Sequence, residues 1–108
     1  MNLPVILSRR AQREVREITA WYAQRSGTSQ VADRWVTGFF DMLDDIQRDP
    51  LRHPRADESN DLDEDIREVH YGSGRRKTHR ILYRFLDDAV EVIGVRHYAQ
   101  RNLTSDDL

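Results

Sequence analysis

Apolar positions along the chain follow two different periods, and the change from one to the other organises everything else. "LPVIL" (3–7) is a short apolar run that reads as a strand. Ser8 follows where an N-cap belongs, its hydroxyl able to accept from the free amides of a first helical turn. Ala11, Val15, Ile18 and Tyr22 then recur at spacings of four, three and four, which predicts an amphipathic helix with Trp21 widening its stripe and Gly27 stopping it. A second helix is predicted from near Ser29 to about Arg48, with Ala32, Trp35, Phe39, Leu43 and Ile46 on one stripe, Val36, Phe40 and Met42 beside it, and Pro50 ending it. The break between the two is short, so they form an antiparallel hairpin. Gly38 in the middle of the second helix either permits a close approach or is a tolerated surface glycine.

Past Pro50 the period is lost. Residues 50–65 hold two prolines and clustered acids and read as a surface loop with a solvated acidic face. Alternation then sets in: "IREVHY" (66–71), "KTHRILYRF" (77–85) and "VEVIGVRHY" (90–98), separated by "GSGRR" and "LDDA", predict an antiparallel meander. Ile81, Tyr83 and Phe85 share the core face, and Arg80, Leu82 and Arg84 share a mixed face. The predicted order is β-α-α-β-β-β, an α+β fold. It has an antiparallel sheet of about four strands and an αα-hairpin packed on one face through Val15, Ile18, Tyr22, Trp35, Phe39 and Leu43. Residues 1–108 make one domain, with 99–108 an exposed tail.

Composition removes several chemistries. The chain has no cysteine, so a thiol nucleophile, a zinc-thiolate site and a disulfide framework are excluded. The acids at 57–65 have no rigid element to hold them at ligand distance, so no metal and no cofactor is expected. "LPVIL" is too short for a signal peptide, no run is long enough to span a bilayer, and a cytoplasmic location without membrane partners is expected.

The formal charge of −2 conceals segregation. Residues 41–65 hold three Arg against ten acids, whereas residues 66–101 hold eight basic side chains against four acids. An acidic middle therefore precedes a basic set of strands, and a partner meets a different field on each.

With these elements in this order, the chain resembles the RelE/ParE superfamily of toxins from bacterial type II toxin–antitoxin modules. The resemblance rests on "LSRRAQREVREI" after the first strand, a hairpin ending "MLDDIQRDP", Arg67 opening the next strand, "HRILYRF", and a last strand ending "GVRHYAQR". It implies a cognate antitoxin, acidic and disordered when free, that folds onto the toxin. It leaves the target divided. The long hairpin and "LSRRA" opening look more like the ParE side, whose members act on DNA gyrase. "HYAQR" looks a little like the His-Tyr ending of YoeB-like nucleases, which cut messenger RNA on the ribosome without metal, so the resemblance is closer to the ParE side and a nuclease is the alternative. A third reading is a decayed toxin that only binds antitoxin.

Arg67, Arg80 and His97, with Tyr98, are the candidate residues of the toxic surface. For RNA cleavage, Arg67 and Arg80 would clamp a phosphate, His97 would transfer a proton, Tyr98 would stack a base, and Glu58 or Glu64 would be the base. The blander readings are a solvated arginine face, pairing with the acids at 57–65 or with the antitoxin, and a structural His97. Regular alternation places Arg96 and Tyr98 on the face opposite His97. Antiparallel pairing is expected to bring Arg67, Arg80 and His97 to one edge of the sheet, and alanine at Arg80 or His97 to leave the fold intact.

Overall fold

A computed structural model describes residues 3–108. The elements are β1 (Val5–Leu7), α1 (Arg9–Ser26), α2 (Gln30–Arg48), a short α3 (Asp57–Asp61), β2 (Ile66–Tyr71), β3 (His79–Phe85) and β4 (Val90–His97), followed by a 3-10 turn at Ser105–Asp107. The α+β class and the β-α-α-β-β-β order of the main elements are as expected from the sequence. Ser8 caps α1 by accepting from the Ala11 amide at 3.1 Å, and Gly27 closes it at φ +72°, its own amide donating to the Ala23 carbonyl. Ser29 makes no side-chain cap on α2.

The four strands form one sheet in the order β1-β4-β3-β2. The meander is antiparallel, but β1 runs parallel to β4, Val5 opposite Val90 and Leu7 opposite Val92, so the sheet is mixed. Only hairpin turns fix strand direction locally, and no turn joins β1 to its neighbour. The β3–β4 register shifts between Leu82, opposite Gly94, and Tyr83, opposite Val92, which leaves Ile93 as the extra residue of a bulge. The bulge explains why Val92 and Val95, three apart, both enter the helix-side core while Ile93 turns to the other face.

The helix-side core is centred on Trp35 and Phe39, stacked at 5.4 Å, with Ile46, Tyr71, Ile81, Tyr83 and Val90 around them. α2 buries its predicted stripe. α1 buries only Ala11 and Glu14 fully; Val15, Ile18 and Tyr22 pack from the margin, and Trp21 is 52% exposed rather than part of a wide stripe. The opposite face of the sheet also carries a core: Ile66, Leu82 and Ile93, roofed by Ala56 and Leu103. The two segments expected to be solvent-exposed therefore cover it. The loop 50–65 contains α3, and most of the tail after His97 is exposed but pinned by Leu103, which is 1% exposed.

Gly38 proves to be a close approach. A Cβ there would lie 2.2 Å from the Tyr71 hydroxyl, which donates to the Trp35 carbonyl at 2.6 Å. Helix propensity alone favours Gly38→Ala by up to about 1 kcal/mol. The contact reverses the sign: Gly38→Ala is expected to destabilise by about 1–3 kcal/mol in urea denaturation, as overpacking does. An unchanged or raised midpoint would show that Tyr71 moves aside freely.

Candidate functional site

Arg80 leaves β3 on the face away from the helical hairpin and meets two carboxylates. Its Nη2 donates to Glu58 Oε1 at 2.6 Å, its Nη1 to Glu58 Oε2 at 3.2 Å, and its Nε to Glu68 Oε2 at 2.8 Å. Glu58, on α3, is 0% exposed and also accepts from the Leu103 amide at 3.1 Å. Burial pushes the Glu58 carboxyl up, but the Arg80 guanidinium and the Glu58 and Leu103 amides outweigh it and hold it below the ordinary value. The acid that sequence could not place is thus the centre of the roof over the second core. Arg80 is its counter-ion, with a side chain only 12% exposed. The expectation that Arg80 is dispensable for folding is therefore corrected, because removing one partner of a buried pair strands the other charge.

Arg67 is committed elsewhere. Its side chain lies on the helix-side face, donates to the Leu51 and His53 carbonyls at 2.8 and 2.9 Å and pairs with Asp65 at 3.1 Å, so it fastens the loop after α2 to the sheet. Arg67 stands opposite Tyr83, whose other neighbour is Val92, five residues before His97. That separation is roughly 16 Å along the strands. Arg67, Arg80 and His97 therefore do not converge on one edge: the first and last share a face at opposite ends of the sheet, and Arg80 occupies the other face. Sequence alternation correctly separated His97 from Arg96, but register and face together decide convergence. Tyr98 does join Arg80, in a shallow depression of about 330 Å³ lined also by Asp57, Glu68, His70, Gln100 and Asn102.

His97 borders a deeper groove of about 550 Å³ between α1 and the end of β4, lined by Ile18, Trp21, Tyr22, His79, Val95 and Gln100 among others. β1 pairs only with residues 90–92, so the edge of β4 beyond it is uncovered by a strand. Side chains take the place of that strand. Glu14 Oε1 accepts from the Val95 amide at 3.0 Å, and Gln100 Oε1 accepts from the His97 amide at 2.8 Å. Glu14 is buried, and its second oxygen accepts from Arg96 Nη1 at 3.0 Å. Burial raises the Glu14 carboxyl against the pull of the Val95 amide and of Arg96, Arg10 and Arg13. No pattern in α1 marked Glu14, since its spacing matched the exposed charges around it. The only signal was its phase, three residues after Ala11 and four before Ile18.

At the inner end of this groove His79 is 4% exposed, perpendicular to the His97 ring at 5.4 Å and beside Trp35 at 5.3 Å, with its Nδ1 2.8 Å from Thr78 Oγ1. Burial, with the His97 ring as neighbour, pushes its pKa from 6.5 to about 4. Below pH 6.5 the unfolded chain binds a proton at this residue that the folded chain refuses, so stability is lost as pH falls from 6.5 through about 4. The loss at this one residue amounts to roughly 3 kcal/mol over that window. Urea titrations at a series of pH values should show this slope, and His79→Asn should flatten it. An equal slope in both proteins would remove His79 as its source.

The paired strand arginines, the loop that holds them and the helical hairpin fall together within one family model. Residues 5–102 match the model described as the ParE toxin of the type II toxin–antitoxin system parDE. A search of curated proteins returned no match to the chain. Membership implies a cognate antitoxin as partner. With β1, the hairpin, the meander and the roof down to Asn102 all inside the match, the chain belongs to the ParE toxin family of type II toxin–antitoxin systems.

Proposed function

We propose that the chain arrests growth by acting on DNA gyrase as a protein-binding toxin and that its antitoxin neutralises it. The observation that supports this reading over RNA cleavage is the state of Arg80. Metal-free cleavage of RNA needs an arginine whose charge is available to the phosphorane, with a base and an acid within hydrogen-bond reach of the same phosphate. Here the guanidinium is already met by Glu58 and Glu68, Arg67 by Asp65 and two carbonyls, and His97 lies on the opposite face from Arg80. A surface so neutralised suits recognition of a protein by shape and apolar contact.

The groove beside β4 is the proposed seat of the antitoxin. Ile18, Trp21 and Tyr22 give it an apolar wall, and the Val95 and His97 amides give it strand-edge donors that an extended segment takes over from Glu14 and Gln100. The strand arginines once expected to meet antitoxin acids are largely occupied: Arg84 pairs with Glu64 and Glu91, and Arg96 with Glu14.

Inducing the chain alone and following two readouts in the arrested cells tests the target. Loss of plasmid supercoiling with intact messenger RNA in primer extension is expected. Cuts at A-site codons with normal supercoiling would transfer the toxin to the ribosome, and unimpaired growth would leave a chain that only binds antitoxin.

A further inference from the structure

Among the described residues, the strand arginines Arg67, Arg80, Arg84 and Arg96 all have carboxylate partners, but Arg75, Arg76 and Lys77 at the tip of the β2–β3 hairpin have none, and all three are exposed. The tip is a closed turn. Thr78 donates to the Tyr71 carbonyl at 2.9 Å, and Gly72 lies so close to the Arg76 carbonyl that a Cβ would stand 2.0 Å from it. Three cations are thus presented on a defined scaffold.

An aromatic pair lies at the same end of the sheet. The Tyr98 amide donates at 3.1 Å to the carbonyl of Thr78, the residue after Lys77, which seats Tyr98 beside the tip. Tyr98 is 44% exposed, and its ring stands 5.4 Å from the His70 imidazole at 68°, His70 being exposed as well. Beside the rings, the depression offers the NH2 groups of Gln100 and Asn102, whose oxygens already accept from the His97 amide and from Arg80 Nη1. Its carboxylates are Glu68, already shared by Arg80 and His70, and Asp57.

We propose that this hairpin tip, with Tyr98 and His70, is a docking surface for single-stranded nucleic acid. Unpaired cations track a phosphate backbone, an exposed phenol and imidazole offer faces on which an unstacked base lies, and side-chain amides meet base edges. An acidic protein segment uses the cations alone and leaves the aromatic pair without a purpose. A duplex keeps its bases stacked and likewise cannot use the rings. The inference goes beyond the gyrase reading and does not require it, since the surface is complete in this chain.

The test is fluorescence anisotropy of the full chain with a labelled oligo-dT, an oligo-U of the same length, a duplex, and polyglutamate of matched charge, over a salt series. Both single strands are expected to bind more tightly than the duplex and polyglutamate, and the preference between dT and U assigns the surface to DNA or RNA. Arg75→Ala, Arg76→Ala and Lys77→Ala combined should lower the log–log salt slope by about 2, at roughly 0.7 per neutralised phosphate. Tyr98→Ala should weaken binding about tenfold or more, with Tyr98→Phe close to wild type. All these side chains are exposed, and circular dichroism checks that the variants stay folded. Absence of single-strand binding would overturn the proposal. Polyglutamate binding as tightly would reassign the surface to an acidic protein, and duplex binding as tightly, insensitive to Tyr98, would overturn the stacking. None of these outcomes depends on gyrase, so the supercoiling result and this one stand or fall separately.

Discussion

A fully buried carboxylate, Glu58, sets the terms for half of this fold. An ionised carboxylate away from water is tolerated only when its lone pairs are met by charge and donors. Here they are met by the Arg80 guanidinium and the Leu103 amide. Three separate stretches are tied by that one group: α3, the middle of the sheet and the C-terminal tail. With them in place, Leu82, Ile66 and Ile93 lie under a roof instead of in water. The second core, the docking of the tail and the seat of Arg80 are therefore one event.

The two long helices, the three-strand meander and their order were legible in the sequence because they rest on local periods. A stripe at 3.6 placed Trp35, Phe39, Leu43 and Ile46, and alternation placed Ile81 and Tyr83. What escaped depends on tertiary placement. Nothing within "ADESNDLDED" separates Glu58 from the other acids, since it is one of six in a polar run and burial is decided by the sheet face beneath. Leu103 is an isolated apolar residue between polar neighbours in the tail and carries no period. β1 lies parallel to β4 because of the chain's path, which alternation does not encode. The bulge at Ile93 shows in hindsight as the spacing of three between Val92 and Val95. The convergence expected of Arg67, Arg80 and His97 failed for a related reason: they have polar positions in common, but the register places them on two faces and at two ends.

The charge pattern acquires a different meaning in the folded chain. In the sequence, an acidic middle and basic strands present a partner with a different field on each. Much of that separation closes internally, with Glu58, Glu64 and Asp65 of the middle segment meeting Arg80, Arg84 and Arg67 of the strands. Pairing of this kind makes strand cations into structural elements. Outside these pairs the fold presents an apolar groove at the open edge of β4 and, at the tip of the β2–β3 hairpin, three exposed cations. In this ParE-family toxin the strand arginines are engaged by carboxylates of the same chain.

The central claim is that Arg80 serves a buried acid, and a double-mutant cycle in urea at neutral pH measures it most directly. Arg80→Leu alone should lose about 3–5 kcal/mol, because it leaves Glu58 ionised and unpaired. Glu58→Gln retains an acceptor for the Leu103 amide and leaves Arg80 its contact with Glu68, so it should cost less. The double variant should cost clearly less than the two losses added, with a coupling of about 2 kcal/mol or more. Additive losses, or an Arg80→Leu protein within about 0.5 kcal/mol of wild type, would contradict the account and return Arg80 to the list of free functional cations.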